Sequence, residues 1–186
     1  MNVTVRPATE RDAATLAAVA AATFALACPP HTTEEAKAHF IATVLSESKF
    51  AEYLADPARE LILALTDDGL AVGYTMVIVG EPQDADAKSA VRIRPTSELS
   101  KCYVLAGHHG AGVSASLMEA SVDAAIRRGA VGMWLGVNQL NERAQRFYRK
   151  HGFERVGTKR FLVGDQFEND FVMERPLESA LSPRLP

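Results

Sequence analysis

The sequence predicts an α/β fold built as one domain, and three observations carry that expectation. Strand-like and helix-like segments alternate along the chain. In the second half the order is strand, Gly-containing loop, helix, strand, helix. Such a βαβ unit makes its two strands parallel, with a right-handed crossover. Finally, 186 residues with 47% hydrophobic and 23% charged side chains suit one ordinary globular core and exclude a disordered or fibrous chain.

Each element has its own warrant. Val3 to Arg6 reads as a strand stopped by Pro7. A helix follows from Glu10 to Ala25, capped by Thr9, with Leu16, Val19, Ala20, Thr23 and Phe24 recurring on one face. Pro29-Pro30 interrupts it. Thr33 caps a second helix from Glu34 to Ser46, and a shorter helical piece leads to Asp56-Pro57. Leu61 to Leu65 and Leu70 to Val79 form a hairpin around Asp67-Asp68-Gly69, residues that tolerate positive φ. Glu81 to Pro95 shows no apolar periodicity and reads as a polar loop. Glu98 to Leu105 is a strand. Val113 to Arg128 is a helix stopped by Gly129, and Val131 to Val137 is the next strand. Asn141 to His151 is a helix ended by Gly152. Phe153 to Val163 and Phe167 to Met173 pair around Gly164-Asp165.

Composition narrows the function. With 20 Lys plus Arg against 23 Asp plus Glu, the net charge is −3, so no basic field marks a nucleic-acid partner. The Ala-rich run from Ala13 to Cys28 has acidic Glu10 and Asp12 in its flank, which suits a helix better than a signal peptide. No apolar stretch is long enough to span a bilayer, so no membrane partner is expected. Two cysteines, Cys28 and Cys102, read as reduced thiols of a cytoplasmic protein. No metal site is expected, because His108 and His109 are adjacent and lack partner spacing.

Two segments carry the chemistry. In His108-His109-Gly110-Ala111-Gly112-Val113-Ser114 the glycines leave backbone N–H groups open at a helix N-terminus, where a phosphate or pyrophosphate fits. A tight turn needing small residues would look the same. The segment lacks the Gly-Lys-Ser/Thr of a triphosphate loop and the GxGxxG spacing of a dinucleotide loop. On the last helix, Asn141, Ala144 and Tyr148 share one stripe at i, i+3 and i+7, giving an amide, a gap and a phenol. Taken singly, Asn141 also reads as a helix cap and Tyr148 as a half-buried packing residue.

Together these segments resemble the GNAT superfamily of acyl-CoA-dependent N-acetyltransferases. His109 to Ser114 falls on that family's acetyl-CoA loop. Asn141 to Phe153 matches its Asn-x-x-Ala-x-x-Phe-Tyr-x-x-x-Gly-Phe helix and strand start. Glu98 to Leu105, Trp134 to Val137, Phe161 to Asp165 and Asp170 to Met173 are similar to the PaiA-type subgroup, some of whose members are described as spermine/spermidine N-acetyltransferases. The resemblance implies one GNAT-like domain over residues 1–178, with 179–186 a frayed tail. Its sheet would be mixed and mostly antiparallel, of six to seven strands with a parallel βαβ core and helices on both faces.

The resemblance implies direct attack of a primary amine on the thioester of acetyl-CoA, with no metal and no covalent nucleophile. His109, Gly110, Ala111, Gly112, Val113 and Ser114 would hold the pyrophosphate. Asn141, Ala144 and Tyr148 would meet the pantetheine arm, and the backbone of Tyr103, Val104 and Leu105 would pair with it like an added strand. The Tyr148 hydroxyl would protonate the departing thiolate, and Glu98 would accept the amine proton. Cys102 would pack. The implied acceptor is a small amine such as a polyamine, for which Glu98, Asp165, Glu168, Asp170, Asp84 and Asp86 offer carboxylates. A protein or peptide amine acetyltransferase, and a catalytically weak acyl-CoA-binding regulatory module, are the competing readings. A homodimer is among the assembly states the sequence allows.

Overall fold

The computed structural model describes residues 3–108, 112–163 and 166–177. Among these, seven strands form one sheet in the order β1-β2-β3-β4-β5-β7-β6. The strands are β1 (Val3–Pro7), β2 (Arg59–Thr66), β3 (Ala71–Val79), β4 (Thr96–Val104), β5 (Gly132–Asn138), β6 (Glu154–Val163) and β7 (Gln166–Pro176). All neighbouring pairs are antiparallel except β4 and β5, which are parallel as a βαβ unit requires. The helices are α1 (Ala13–Ala27), α2 (Glu34–Val44), α3 (Glu47–Ala55), α4 (Ala85–Ala90), α5 (Val113–Arg127) and α6 (Glu142–Lys150).

Strand alternation sorts the core into two layers. On one face Leu61, Leu63, Tyr74 and Met76 pack against Leu16, Ala20 and Phe24 of α1 and Phe50 of α3. On the other face Met133, Leu135, Val137 and Met173 pack against Met118 and Ala125 of α5, with Phe147 and Tyr148 of α6 beside them. Helices therefore cover both faces. The face of α1 expected from its periodicity is the face it buries: Leu16, Val19, Ala20, Thr23 and Phe24. Thr33 and Ser46 cap α2 and α3 through their side-chain oxygens. The cap at Ser46 explains why α2 ends at Val44, short of the expected boundary.

One expectation fails. Residues 81–95 are not a featureless loop, because they contain α4, whose N-cap Asp84 accepts the Ala87 N–H at 2.8 Å. Ala87 and Val91 bury against Trp134 and Val172. A helix of 6 residues has no room for a repeated apolar period, so the pattern is absent although the packing is real. The following connection is pinned by Glu174, a buried side chain on β7. Its Oε1 accepts the N–H groups of Arg92 and Ile93, each at 2.8 Å. Gly164-Asp165 and the tail at 179–186 lie outside the described residues, as does Asp165 as a candidate carboxylate.

Candidate functional site

The site begins with a defect in the sheet. β4 and β5 pair only over Thr96, Ser97 and Glu98, opposite Gly132, Met133 and Trp134. Between Leu99 and Lys101 the register of β4 against β3 shifts, which marks a bulge. A bulge bends and twists its strand, and here β4 turns away from β5. Beyond Glu98 the two strands leave a wedge-shaped gap. Leu105 N–H donates to Val72 C=O at 2.9 Å, and the antiparallel alternation then assigns the Tyr103 amide to β3 as well. The amides of Cys102 and Val104 are the ones that face the gap. Of the three backbone positions expected to pair with an extended ligand, Val104 is thus placed to do so, while the Leu105 amide is already committed.

A cavity of about 730 Å³ runs through this gap. It is lined by Glu98, Tyr103, Val104, Gly112, Ser114, Asn141, Ala144 and Tyr148 among the residues expected from sequence. Val113 does not line it; it is buried with Ile62 and Leu117. His109, Gly110 and Ala111 lie outside the described residues.

On the α5–α6 side, Gly112 is the N-cap of α5 at φ +80°, a left-handed conformation, and a Cβ there would meet no atom within 4 Å. Glycine adopts that conformation without steric cost. The first amides of α5 point out of this open helix end, as an anion site requires. The Asn141 Oδ1 caps α6 by accepting the Ala144 N–H at 3.1 Å, so its helix-cap reading holds while it also lines the cavity. Gln145, buried on α6, donates to the carbonyls of Asn138 and Gln139 at 3.1 and 2.9 Å and fixes the helix against the end of β5. This sets Tyr148 over the gap. Its ring meets Phe153 edge-on at 5.9 Å, and its hydroxyl hydrogen-bonds no described residue. Burial pushes the phenol well above its ordinary range, so it stays protonated and able to donate. Burial also pushes the Cys102 thiol up to about 12, which keeps it out of the thiolate form and fits a packing role.

The opposite face is acidic. Glu98 lies at the apex of the gap, and burial raises its carboxyl against the opposing pull of Lys159, Lys101 and Arg59. Two further carboxylates, expected only as acceptor-binding groups, prove to be part of the same floor. Glu168 and Asp170 alternate on β7 and are both buried. Asp170 makes no hydrogen bond or ion pair with a described residue, and burial lifts it to about 6 despite Lys159. Glu168 accepts from Asn138 Nδ2 at 3.4 Å and meets His31 Nε2 at 2.6 Å, tying the α1–α2 connection to β7. The readable signal is the run Phe-Glu-Asn-Asp-Phe, which puts two alternate acids on one face of a strand.

Two lysines join them. Lys159 crosses β5 at Gly136, where an added Cβ would come to 2.6 Å from Lys159 Cε and 3.2 Å from Asp170 Oδ2. Lys101, on β4, is pulled down to about 8 by burial, with Glu98 opposing and Arg59 assisting. The Tyr103 ring stacks on Tyr74 at 5.7 Å, on this same face and away from Tyr148. Among the described residues no three His, Cys, Asp or Glu side chains gather where a metal could sit.

The arrangement can seat an extended ligand edge-on in the sheet, with its anionic end at α5. It offers a proton donor on one face and proton acceptors on the other. Comparison with known proteins bears on the family and the fold. The sequence pattern of the acetyltransferase (GNAT) family matches residues 21–153. An uncharacterized N-acetyltransferase of Mycobacterium tuberculosis is 49% identical over 166 residues, covering 89% of this chain and 98% of that protein. The crystal structure of the PaiA N-acetyltransferase of Thermoplasma acidophilum, in complex with coenzyme A, superposes with a TM-score of 0.76 at 19% identity, covering 95% of this chain and 99% of that one. The ribosomal-protein-S18-alanine N-acetyltransferase of Escherichia coli gives a TM-score of 0.68 at 18% identity, covering 100% of this chain and 99% of that one.

Proposed function

The chain belongs to the GNAT family of acetyltransferases, and from that premise we propose that it moves an acetyl group from acetyl-CoA directly to a small primary amine. The observation that carries this is the gap between β4 and β5, with a protonated phenol on one side and two carboxylates on the other. The residues present suit the cofactor. The free edge of β4 at Cys102 and Val104 offers backbone amides to the pantetheine arm, and the open helix end at Gly112 accepts its pyrophosphate.

Bound acetyl-CoA supplies an activated thioester; the rest falls to the protein. One of these two β4 amides hydrogen-bonds the acetyl oxygen rather than the pantetheine arm, and that bond strengthens as charge gathers there. The amine enters from the face of α1, on the far side of the sheet from Tyr148. It is mostly protonated in water at neutral pH and must lose that proton to attack. One of Glu98 and Asp170 takes it before attack and the other takes the second proton that the nitrogen sheds as the amide forms; a carboxyl at about 6 is well matched to do so near neutrality. Tyr148 donates its proton to the departing sulfur. The Cys102 thiol takes no part, consistent with transfer in one step.

A polyamine is the narrower reading that the carboxylates Glu98, Glu168 and Asp170 favour when counted alone. The test of the broader one is thiol release from acetyl-CoA with a panel of primary amines, the N-acetyl product being identified by mass. Thiol release that no amine accelerates above hydrolysis would refute acetyl transfer to a small amine.

A further inference from the structure

The face of the cavity that receives the amine has a second half with no catalytic duty. It is built from the end of α1, the α1–α2 connection, α2 and β6. Phe24 and Phe40 stack face to face with centroids 4.4 Å apart and planes 6° from parallel. Phe161 stands edge-on to Phe40 at 5.8 Å. Leu26 and Val44 complete this wall; Leu26 is 53% exposed, an apolar side chain left without cover at the cavity mouth. The wall lines the same cavity as the floor that holds Glu98 and Asp170.

Charge limits what can lie across both halves. The floor carries Glu98, Asp170 and Glu168, but Glu168 is already engaged by His31 and Asn138. Lys159 holds the boundary: its Nζ is 5.2 Å from the Phe161 ring centre, between aromatic wall and carboxylates. A ligand with one ammonium can put it on the floor and lay its remainder along the wall. A ligand with a second or third ammonium would bring it against Lys159, which weighs against the polyamine.

Resting on the acetyl-transfer reading, we infer that the acceptor is a monoamine whose nitrogen is carried by an aromatic or similarly bulky apolar body, seated on Phe24, Phe40 and Phe161. The cavity volume of about 730 Å³ leaves room for such a body beside a thioester arm.

Amine-dependent kcat/KM at saturating acetyl-CoA tests this with phenethylamine, n-propylamine and spermidine. Phenethylamine should exceed n-propylamine by about 10- to 100-fold, the range that a few apolar groups confer in a fitted pocket. Spermidine should not exceed n-propylamine. Phe161→Ala and, separately, Phe40→Leu should each cut the phenethylamine to n-propylamine ratio by roughly tenfold. A melting shift with acetyl-CoA confirms that each variant is folded. Spermidine outrunning phenethylamine, or a ratio unchanged in both folded variants, overturns the inference and leaves acetyl transfer standing. No turnover of any of the three amines overturns the transfer reading and the inference with it.

Discussion

Asp170→Asn should make the protein more stable and less active, and the pH at which it does so is set by the structure. The Asp170 carboxyl rises from an ordinary 3.8 to about 6, chiefly because it is buried, with Glu168 adding repulsion and Lys159 relieving part of it. That difference corresponds to ~3 kcal/mol. The sign follows from proton uptake. Between about pH 4 and 6 the folded protein holds this proton more often than the unfolded chain, so stability falls as pH rises through that window. The full cost stands above pH 6. Asparagine keeps the shape and removes the charge. At pH 7.5 the variant should gain up to ~3 kcal/mol, which at ~2–4 °C per kcal/mol for a chain of this size raises Tm by up to ~10 °C. At pH 4 the folded carboxyl is neutral and the gain should nearly vanish. Thermal denaturation followed by circular dichroism at pH 4, 5, 6 and 7.5 reads this directly. In the same variant the rise of kcat/KM near pH 6 should be lost and its plateau lowered. Equal Tm at pH 7.5, or a gain larger at pH 4, would refute the reasoning.

Other substitutions probe the remaining parts of the site. Gly112→Glu places a carboxylate at the anion end and should abolish the rise in Tm that saturating acetyl-CoA gives wild type. Gly112→Ala meets no atom but strains a left-handed backbone by about 1 kcal/mol, and should keep most of that rise. Gly136→Ala puts a methyl against Lys159 and Asp170, so kcat/KM should fall roughly 10- to 100-fold with little change in Tm. Glu174→Ala strands two backbone donors and should cost about 2–4 kcal/mol, read as a lower urea midpoint.

The fold is legible in the sequence where local rules govern. The face of α1, the cap at Thr33, and the Asp-Asp-Gly hairpin with Gly69 at φ +84° all follow from residue chemistry within a few positions, whereas Ser46, expected as the end of α2, instead caps α3. The gap is implied only through resemblance, because a bulge between Leu99 and Lys101 leaves no periodic trace. Tyr148, Asn141, Gly112 and Glu98 are legible as chemistry-bearing types at telling spacings, and they converge on one cavity. Asp170 is legible only as an acid alternating with Glu168 on one strand face and Lys159 not at all, since their catalytic meaning depends on burial and on a crossing at Gly136, both products of tertiary packing. The aromatic wall is hidden for a like reason: Phe24, Phe40 and Phe161 come from three separate elements.

The central claim, that acetyl transfer runs through the gap under Tyr148, is tested most directly by single-turnover rapid quench. Wild type and Tyr148→Phe are compared under saturating acetyl-CoA and the best acceptor amine. The variant keeps the ring against Phe153 and deletes only the hydroxyl. Loss of a proton donor to the leaving sulfur should slow the chemical step by roughly 10²–10⁴-fold while acetyl-CoA affinity stays nearly constant. A variant that loses about 1 kcal/mol of stability but transfers acetyl within a factor of a few of wild type would contradict the account, leaving Tyr148 as a packing residue.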